Sequence, residues 1–519
     1  MVSRFRYLVL AVVLVAMFLG SVAFAAGVKY VFLFIGDGMS INSVTATELY
    51  LYDVRRGEKD APGIERISFT RFPVVGLMNT FDAGRYITDS ASAITAMLSG
   101  RKTLDGVLNM DVTKTEKFTT LAEEAQKAGK KIGDLSTVSL DHATPAGLYA
   151  HNPSRNNYYD IALELAKSGF NYFAGGGFRQ PTGKDKDKES IFDILRKEGY
   201  TVIQSRSDFE TLTAPADKIV VINPVLDAEA AMPYAIDRSA EEFSLAELTR
   251  KGIELLADNP KGFFMHVEGG KIDWACHAND LRAAIGDILD FEQAVAEAVK
   301  FYEKHPEETL IVVTADHGNG GLSLGYALTG YNLYPRRLDH QKVSYEVFEE
   351  KVKEYFEKTP AAEQSLENFW PVIQENFGLL WLSAEEKAKL QEAAKENVEA
   401  REQLAMALSD YERERLEKAF AASMAVLRGE KLEGDEAKVL YGGYDPLTVT
   451  LTKIIAEKAG FSWTTYSHTG EPTPVFALGA RAELFDGYYD NTEFYVKLRE
   501  ALGLTTTALE SQSQSRQGY

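Results

Sequence analysis

The 519-residue sequence contains a single cysteine, Cys276, and it has no excess of positive charge. One cysteine cannot form a disulfide within the chain, so stability has to come from packing and from bound ligands. The formal net charge of -20 argues against nucleic acid or an anionic membrane surface as a partner. An anionic ligand would therefore need local positive charge, such as a metal ion or an arginine. A hydrophobic share of 45% is enough to build a large core.

Residues 1–25 have the composition of a secretory signal peptide. Arg4 and Arg6 give a basic start, an apolar stretch runs from Tyr7 to Leu19, and Ala23-Phe24-Ala25 offers a small-residue cleavage site. We expect this segment to be removed and the mature protein to be periplasmic or secreted, without stable membrane insertion. The alternative is an uncleaved membrane anchor, which the short apolar stretch disfavours.

Strand-like apolar runs alternate with amphipathic helical stretches over residues 26–340. Lys131–Ser139 and Ile219–Asn223 are predicted strands, and Phe118–Gly129 and Ser244–Asp258 are predicted helices. Alternation on this scale predicts a layered α/β fold with a mostly parallel sheet.

Residues 341–440 differ in composition, because they are rich in Glu, Lys and Ala and show little strand signal. Ser383 with Glu386, and Ser409 with Glu412, form capping-box patterns that predict helix starts. We interpret the segment as a helical insertion. A solvated cap or a dimer contact is a more probable role for it than a substrate-reading domain.

The remaining chain divides into two parts. Residues 441–503 regain strand signal, at Pro474–Leu478, and we assign them to the last part of the α/β core. Residues 504–519 are polar and rich in Ser and Gln, so we expect a flexible tail. No internal repeat is present.

Three short apolar runs each end on residues that commonly bind metal ions. Continuous apolar runs of this length indicate strands covered on both faces, as in a parallel sheet. The carboxyl ends of such strands form the ligand crevice of an open sheet, and clustered carboxylates and imidazoles there predict more than one divalent ion. The runs are Tyr30–Ile35 before Asp37, Phe263–Val267 before Glu268, and Leu310–Val313 before Asp316 and His317.

Reactive residues also occur in predicted helices. Thr88 or Asp89 can cap a helix and place Ser90 in its first turn, where free amide hydrogens and the helix dipole favour a phosphate and stabilise an alkoxide. Taken alone, this pattern is more often an ordinary helix start. Asp273 and His277 are spaced i, i+4, so they share one helix face and can hold one metal ion, although such pairs are also common on solvated surfaces.

Three further residues have suitable chemistry. His468 lies in a polar turn before the last predicted strand. Thr144 could offer a hydroxyl group to a hard cation such as Mg²⁺. Arg155 has a fixed fork of donors that suits two phosphate oxygens, but a surface arginine is an equally good interpretation of it by itself.

Together these segments resemble the alkaline phosphatase family. The resemblance covers about Val28–Gly325 and Leu447–Leu502, and it implies a three-layer α/β/α sandwich around a large, mainly parallel sheet, with the helical insertion added. It also implies hydrolysis of small phosphate monoesters, binding of inorganic phosphate, and a homodimer. The matching motifs, in the family's order, are Phe34–Met39, Thr88–Ala91, His142–Gly147, Val267–Gly270 with Asp273 and His277, Thr314–Gly318, and His468–Gly470.

The resemblance implies two zinc ions and one magnesium ion. Ser90 would be the nucleophile that forms a phosphoserine, Arg155 would hold the phosphate, and Asp89 would orient Arg155. Where some members of the family carry other residues, this chain has His142 and Trp274, which we place around the metal ligands. The implied ligands are Asp273, His277 and His468 for the first zinc ion, Asp37, Asp316 and His317 for the second, and Asp37, Thr144 and Glu268 for the magnesium ion.

Two other functions stay open at this point. Phosphodiesterases, cofactor-independent phosphoglycerate mutases and sulfatases resemble the family in core and metal positions. A diesterase has little need of Thr144 and Glu268, and the chain has no Cys-x-Pro-x-Arg segment of the sulfatase type. A non-enzymatic phosphate- or metal-binding protein would be expected to lack the nucleophile or a ligand, and none is missing. We interpret Cys276 as a small buried residue, and His151, His266, His305 and His340 as structural or surface groups.

Overall fold

The computed structural model describes residues 27–55, 62–215 and 217–504. The predicted signal peptide and residues 505–519 of the predicted tail lie outside the described residues. The strands are β1 (Tyr30–Gly36), β2 (Val74–Asn79), β3 (Lys131–Ser136), β4 (Tyr172–Gly175), β5 (Thr201–Ile203), β6 (Ile219–Ile222), β7 (Phe263–Gly269), β8 (Thr309–Thr314), β9 (Gly318–Asn319), β10 (His468–Thr469), β11 (Thr473–Gly479) and β12 (Gly487–Asp490).

Helices connect most of these strands. The described α-helices are α1 (Ile41–Arg55), α2 (Ser90–Ser99), α3 (Leu121–Lys127), α4 (Ala143–Ala146), α5 (Tyr158–Ser168), α6 (Ile191–Lys197), α7 (Arg206–Thr211), α8 (Leu245–Leu256), α9 (Lys271–His277), α10 (Leu281–Tyr302), α11 (Tyr345–Lys358), α12 (Leu366–Phe377), α13 (Ala384–Ala393), α14 (Val398–Met406), α15 (Asp410–Leu427), α16 (Asp435–Tyr441), α17 (Pro446–Ala459) and α18 (Asn491–Ala501). Short 3-10 helices occur at Phe69–Arg71, Pro335–His340, Ala361–Glu363 and Ala482–Phe485.

One large sheet organises the fold. Its strand order is β12-β2-β11-β8-β1-β7-β3-β4-β6-β5, and all neighbouring strands are parallel except at β11, which is antiparallel to β2 and β8. The prediction of a mainly parallel sheet in a three-layer α/β/α fold is therefore confirmed. The antiparallel strand is an addition that the apolar run Pro474–Leu478 did not reveal, because strand direction is not encoded in a continuous apolar pattern.

The central strand β1 shows why helices cover both faces of the sheet. Side chains alternate between the two faces of a strand. Val31, Leu33 and Ile35 pack into the core on one face, and Phe32 and Phe34 pack into the core on the other. Each fully buried side chain of this size stabilises the fold by about 1.5–3 kcal/mol, so a strand that is apolar at every position holds both layers in place.

The register of β1 with its neighbours brings three strand ends level. Ile35 pairs with Glu268 on β7 and with Thr314 on β8. Residues that follow these strands therefore meet at one edge of the sheet, as the sequence predicts for Asp37 and Asp316.

Residues between α11 and α16 form the helical segment predicted from composition. Both predicted capping boxes are present, at Ser383 with Glu386 and at Ser409 with Glu412. Phe348 and Phe420 pack with residues of α17 in a third core, separate from the two cores of the sheet. The segment is thus anchored to the rest of the molecule by its own apolar layer.

Some predicted boundaries are wrong by a few residues. The helix expected from Phe118 begins at Leu121, because Thr120 and Glu123 form a capping box that fixes its start. Ser244 caps helix α8 and is not its first residue. The strand expected to run to Ser139 ends at Ser136, where the chain turns towards the carboxyl edge of the sheet. Among the described residues, no helix combines the length and hydropathy needed to cross a membrane.

Candidate metal centre

Two buried carboxylates and an imidazole converge after β1 and β8. Asp37, Asp316 and His317 form what we call the strand group, and each is at most 1% exposed. The Nε2 atom of His317 lies 3.4 Å from Asp37 Oδ1 and 3.1 Å from Asp316 Oδ2. These three residues offer ligand atoms that all lie within 4.8 Å of one another, which is compact enough to surround one cation.

A second set, the helix group, contains Asp273, His277 and His468. Helix α9 places Asp273 Oδ2 3.3 Å from His277 Nε2, as the i, i+4 spacing predicts. His468 Nε2 lies 3.7 Å from Asp273 Oδ1 and 3.1 Å from His277 Nε2. The rings of His317 and His468 stack with centroids 3.6 Å apart, so the helix group adjoins the strand group.

The orientation of the helix-group imidazoles requires a positive charge between them. His277 Nδ1 donates to the carbonyl of Tyr466 at 2.6 Å, and His468 Nδ1 donates to the carbonyl of Thr88 at 2.8 Å. In neutral rings the two Nε2 lone pairs would then face each other at 3.1 Å. Such a contact is repulsive unless a shared proton or a metal ion lies between the nitrogens.

The third set, the oxygen group, contains Asp37, Thr144 and Glu268. Thr144 Oγ1 donates to Asp37 Oδ2 at 3.3 Å. Ser136 donates to Glu268 Oε2 and fixes this carboxylate. His142, which the sequence places around the ligands, also lies with Asp37 and Glu268 among atoms that could hold a metal ion.

His142 has a competing partner. Its Nε2 atom lies 3.1 Å from Arg155 Nη2, and an arginine can only donate. Nε2 is therefore the acceptor of that bond, and a neutral His142 carries its proton on Nδ1. Burial and the positive charge of Arg155 lower the pKa of His142 well below its usual value, which keeps the ring neutral. In this geometry His142 supports Arg155, and the hydroxyl of Thr144 remains available as an oxygen donor.

Unpaired buried polar atoms mark the same residues. Each such atom costs about 1–3 kcal/mol when no partner is supplied. Cations would provide the missing partners, so the donor set fits divalent metal ions. The buried oxygens without a hydrogen-bond partner in these groups are Asp37 Oδ1, Glu268 Oε1 and Asp316 Oδ2.

Proton affinities in the centre are strongly shifted. Burial raises the pKa of Asp37 well above its usual value, and the charges of Asp316 and Asp273 add to the effect. Burial also raises the pKa of Glu268 to about 8, against the hydrogen bond from Ser136. Burial lowers the pKa of His468 to about 4. The carboxyl groups thus retain protons that a metal ion would displace, so metal binding strengthens as pH rises through these values.

Asp273 behaves in the opposite way. Burial by itself would raise the pKa of this carboxyl group, but the adjacent imidazole of His277 lowers it overall, and His468 and His317 lower it further. An ionised Asp273 among three imidazoles resembles the carboxylate–imidazole sets that bind zinc.

The serine at the start of α2 lies beside the strand group. Asp89, and not Thr88, caps the helix, because its side chain accepts from the Ser92 amide at 2.9 Å. Ser90 is consequently the first residue of the helix and is 1% exposed. Its Oγ atom lies 3.2 Å from His317 Nε2. The nucleophile predicted from the sequence therefore lies next to the predicted ligands.

Arg155 and Asp89 form the opposite wall of this site. Arg155 Nη1 donates to Asp89 Oδ2 at 3.0 Å. Burial would raise the pKa of Asp89, but the charge of Arg155 lowers it to about 2, so the pair is ionised. The second terminal nitrogen of Arg155 contacts His142. One carboxylate and one imidazole thus fix the orientation of the guanidinium group.

Several groups that hold the ligands in place were missed in the sequence. Asn319 Nδ2 donates to Asp273 Oδ1 at 2.6 Å, and its position on β9, directly after the His317 motif, could have suggested this role. The carbonyls of Tyr466 and Thr88 carry no such signal, since a backbone acceptor is independent of residue type. The hydroxyl group of Ser136, which donates to Glu268, lies on another strand and has no motif of its own. These contacts fix the ring tautomers and carboxylate orientations of the centre.

The remaining predicted residues have clear locations. The half-buried Trp274 packs edge-to-face on His142, with centroids 5.9 Å apart. Cys276 is buried, and burial raises the pKa of its thiol well above the usual value, so it behaves as a small apolar residue. His266 is fully buried and pairs with Asp134 at 2.9 Å.

The centre opens to the surface through a cleft of about 590 Å³. Two of the candidate ligands, His277 and His468, line this cleft together with the loop before Ser90. The ring of Tyr86 in this loop is 93% exposed. Residues lining the cleft include Arg85, Tyr86, Ile87, Asp89, His277 and His468.

A metal-dependent phosphatase is the class of protein that this fold and this cluster of ligands define. The family model of alkaline phosphatase matches residues 28–504, and the chain belongs to that family. The chain is therefore a phosphatase enzyme that depends on metal ions.

Individual relatives agree with this assignment. Alkaline phosphatase 3 of Bacillus subtilis is 30% identical over 483 residues, which cover 92% of this chain and 89% of the relative. The solved structure of a cold-active alkaline phosphatase from Shewanella sp. is 28% identical, with a TM-score of 0.70, and covers 91% of this chain and 99% of its own. The Thermus thermophilus alkaline phosphatase, at 24% identity and a TM-score of 0.72, shares the fold, with coverages of 93% and 92%.

Proposed function

We propose that this protein hydrolyses small phosphate monoesters through a phosphoserine on Ser90, using two zinc ions and one magnesium ion. The observation that supports the proposal most directly is the location of Ser90. Its hydroxyl group begins a capped helix, 3.2 Å from His317 of the strand group, and Arg155 is held by the neighbouring Asp89. The proposed nucleophile and the proposed phosphate-binding arginine therefore lie beside the candidate metal ligands.

The three ligand groups suit these ions by their chemistry. The helix group and the strand group combine carboxylates with imidazoles, as zinc prefers, and the oxygen group offers oxygens alone, as magnesium prefers. Bound divalent ions would supply positive charge that favours the serine alkoxide and stabilises the departing oxygen. The proposed ligands are Asp273, His277 and His468 for the first zinc ion, Asp37, Asp316 and His317 for the second, and Asp37, Thr144 and Glu268 for magnesium.

The protein's own groups carry the covalent steps. Ser90 loses its hydroxyl proton and attacks phosphorus in line, and the bond from phosphorus to the alcohol oxygen breaks. The alcohol takes up a proton and leaves. Water then attacks the phosphoserine, releases phosphate and returns a proton to Ser90. Two displacements at one phosphorus give overall retention of configuration.

Arg155 binds and orients the phosphoryl group during both steps. Its planar fork can donate to two phosphate oxygens, and Asp89 and His142 hold the fork in one orientation before substrate arrives. The Asp89 cap also aligns helix α2, so the free amides of the first turn face the phosphate. Pre-orientation of this kind lowers the entropic cost of binding.

We also propose that the protein is exported and acts as a periplasmic or secreted homodimer on small phosphate esters, without nucleic-acid partners. The basic and apolar composition of residues 1–25 supports export, and the formal net charge of -20 disfavours nucleic acid. Amino-terminal sequencing of the exported protein should begin near Ala26. Sedimentation analysis should give twice the mass of one chain.

Phosphate release from p-nitrophenyl phosphate at alkaline pH tests the proposal. We expect turnover that EDTA abolishes and that Zn²⁺ with Mg²⁺ restores. Bis(p-nitrophenyl) phosphate is the control, because a phosphodiesterase of the same superfamily would prefer it. Faster cleavage of the diester, or activity that survives complete metal removal, would contradict the proposal.

A further inference from the structure

A buried lysine begins the helix that carries two of the proposed ligands. Lys271 is the first residue of α9, and its side chain is fully buried. The helix dipole opposes a cation in the first turn, and a buried ammonium group costs several kcal/mol unless it is paired. The preferences of helix starts therefore do not explain a lysine at this position. Groups on other elements must compensate the charge of Lys271.

Two carboxylates and two aromatic rings provide that compensation. Lys271 Nζ donates to Asp227 Oδ2 at 2.7 Å and to both carboxylate oxygens of Glu346 at 2.9 Å. The ammonium nitrogen also lies 4.0 Å from the ring centre of Tyr234 and 4.7 Å from that of Trp274. Glu346 belongs to the first turn of α11, the first helix of the insertion. Lys271 thus connects the insertion to α9.

The connection continues to the phosphate-binding wall. Trp274 contacts Lys271 on one side and packs its ring on His142 on the other. His142 in turn accepts from Arg155. Four successive contacts therefore lead from Glu346 to the proposed phosphate clamp, and each involves a buried or half-buried side chain.

A second route leads from the start of the insertion to the other end of the same helix, through two tyrosines that follow the insertion. The ring of Tyr345 packs on Tyr444 with centroids 5.7 Å apart, and Tyr444 stacks on Tyr466 at 6.0 Å. The carbonyl of Tyr466 accepts from His277 at the last residue of α9. The first turn of α11 is thus linked to both ends of the helix that carries Asp273 and His277.

We propose that Glu346 is a positioning residue through which the insertion sets the affinity of the site for phosphate. Acting through Lys271, it holds Trp274 against His142 and so keeps the guanidinium group of Arg155 oriented. The inference rests on the proposed function of Arg155. It gives the insertion a role in the active site, beyond that of a solvated cap or a dimer contact.

Glu346→Gln tests this role, because it keeps the shape of the side chain and removes its charge. In the metal-loaded protein, we expect the dissociation constant of inorganic phosphate, measured by calorimetry, and the KM for p-nitrophenyl phosphate to rise about three- to tenfold. Metal content should be unchanged, and kcat should stay within about twofold, since binding before and during reaction is weakened equally.

Glu349→Gln is the matched control. Glu349 lies one turn further along α11, its side chain is 31% exposed against 29% for Glu346, and it also pairs with a lysine, Lys353, at 3.3 Å. That lysine belongs to the same helix, so the pair has no connection to α9. We expect the phosphate dissociation constant of this variant to equal that of the native protein.

A double-mutant cycle tests the route through the tryptophan. In a protein that already carries Trp274→Ala, Glu346→Gln should change the phosphate dissociation constant by less than about twofold. Glu346→Asp keeps the charge and shortens the side chain, and it replaces the glutamine variant if that variant does not fold. The phosphate dissociation constant of Glu346→Asp should rise about twofold.

The possible results separate the two proposals. The inference is wrong if Glu346→Gln and Glu349→Gln bind phosphate equally well, or if Glu346→Gln lowers only the melting temperature. It is also wrong if Glu346→Gln acts fully in the Trp274→Ala background. A native protein that binds no phosphate would contradict the proposed function, whereas normal binding by the native protein and by both Glu346 variants would overturn this inference alone.

Discussion

The carboxyl edge of the sheet and the middle of the helical insertion place their charges in opposite ways. At the sheet edge, Asp37, Glu268 and Asp316 are each at most 1% exposed, and each has a buried oxygen without a hydrogen-bond partner. In the insertion, helix α13 buries none of its residues, and its Glu385–Lys389 pair is 79% and 74% exposed. The charges of the first region lack partners that a bound cation would supply, whereas those of the second are solvated by water.

This difference indicates where function resides. Charges that remain buried at a cost of several kcal/mol each persist only where a ligand or a partner relieves them. Charges on a solvated helix contribute little, and most substitutions there are tolerated. The insertion is not uniform, however, because its first turn carries Glu346, whose contact with Lys271 resembles the sheet edge more than helix α13.

The largest effect is expected when the nucleophile is removed. Ser90→Ala should lower kcat for p-nitrophenyl phosphate by about 10³-fold or more, because it removes the hydroxyl group that the structure holds beside His317. Metal content, measured by elemental analysis, should be retained. Ser99→Ala at the other end of the same helix is the control, since the Ser99 hydroxyl only donates to the carbonyl of Thr95. Unchanged turnover in Ser90→Ala would exclude a phosphoserine mechanism on this residue.

Metal removal should affect the carboxyl edge of the sheet and leave helix α13 of the insertion unchanged. Chelation leaves the clustered carboxylates without partners, so the melting temperature should fall. A ligand present at 1,000 times its dissociation constant stabilises the folded state by about 4 kcal/mol, and this stabilisation would be lost. Hydrogen exchange should quicken around Asp37 and Asp316 and stay unchanged in α13. Adding Zn²⁺ and Mg²⁺ back should reverse both changes. If the melting temperature is the same with and without chelator, the metal ions do not stabilise the fold.

Arg155→Ala should affect binding more than chemistry. Loss of hydrogen bonds between a guanidinium group and a phosphate costs about 1.5–3 kcal/mol, so the inhibition constant of inorganic phosphate should rise about 10- to 100-fold. Arg85→Ala provides the comparison, because Arg85 lines the cleft with its side chain 65% exposed and pairs with Asp105. A phosphate inhibition constant that does not change in Arg155→Ala would remove this residue from the site.

Sequence reasoning identified the sheet edge because its signals are local. A continuous apolar run ending at Asp37 or Asp316 predicts a buried strand, and parallel strands bring their carboxyl ends together. The i, i+4 spacing of Asp273 and His277 predicts a shared helix face, which the structure has. Each of these inferences uses fewer than ten neighbouring residues and one rule of geometry.

Other features depend on contacts between distant parts of the chain, and the sequence did not reveal them. A lysine is usually found on the surface, and Lys271 can be buried because Asp227 and Glu346, which are distant in the sequence, pair with its charge. The antiparallel direction of β11 has no signal in its own apolar run. The carbonyl of Tyr466 that holds His277 has no sequence signature at all, since every residue has one.

A moderate effect is expected from the helix caps of the insertion. Ser409→Ala removes the hydroxyl group that accepts from the Glu412 amide, and loss of such a cap costs about 1 kcal/mol. The melting temperature should fall slightly while kcat and KM stay at their native values. Ser409→Thr, which retains the hydroxyl group, should preserve the melting temperature. A change in KM would show that this part of the insertion also influences the active site.

The smallest effect is expected for Lys389→Ala, which removes a lysine of the same chemical type as Lys271 from the opposite environment. The Lys389–Glu385 pair is a solvated i, i+4 contact, so its loss should change the free energy of unfolding by no more than about 0.5 kcal/mol. Lys271→Ala leaves the half-buried carboxylates of Asp227 and Glu346 without their cation and removes a fully buried side chain, so it should cost more, up to about 3–5 kcal/mol. Melting temperatures of the two variants measure the contrast directly. If the melting temperature falls equally in both variants, burial does not determine how much a charged side chain contributes to stability in this protein.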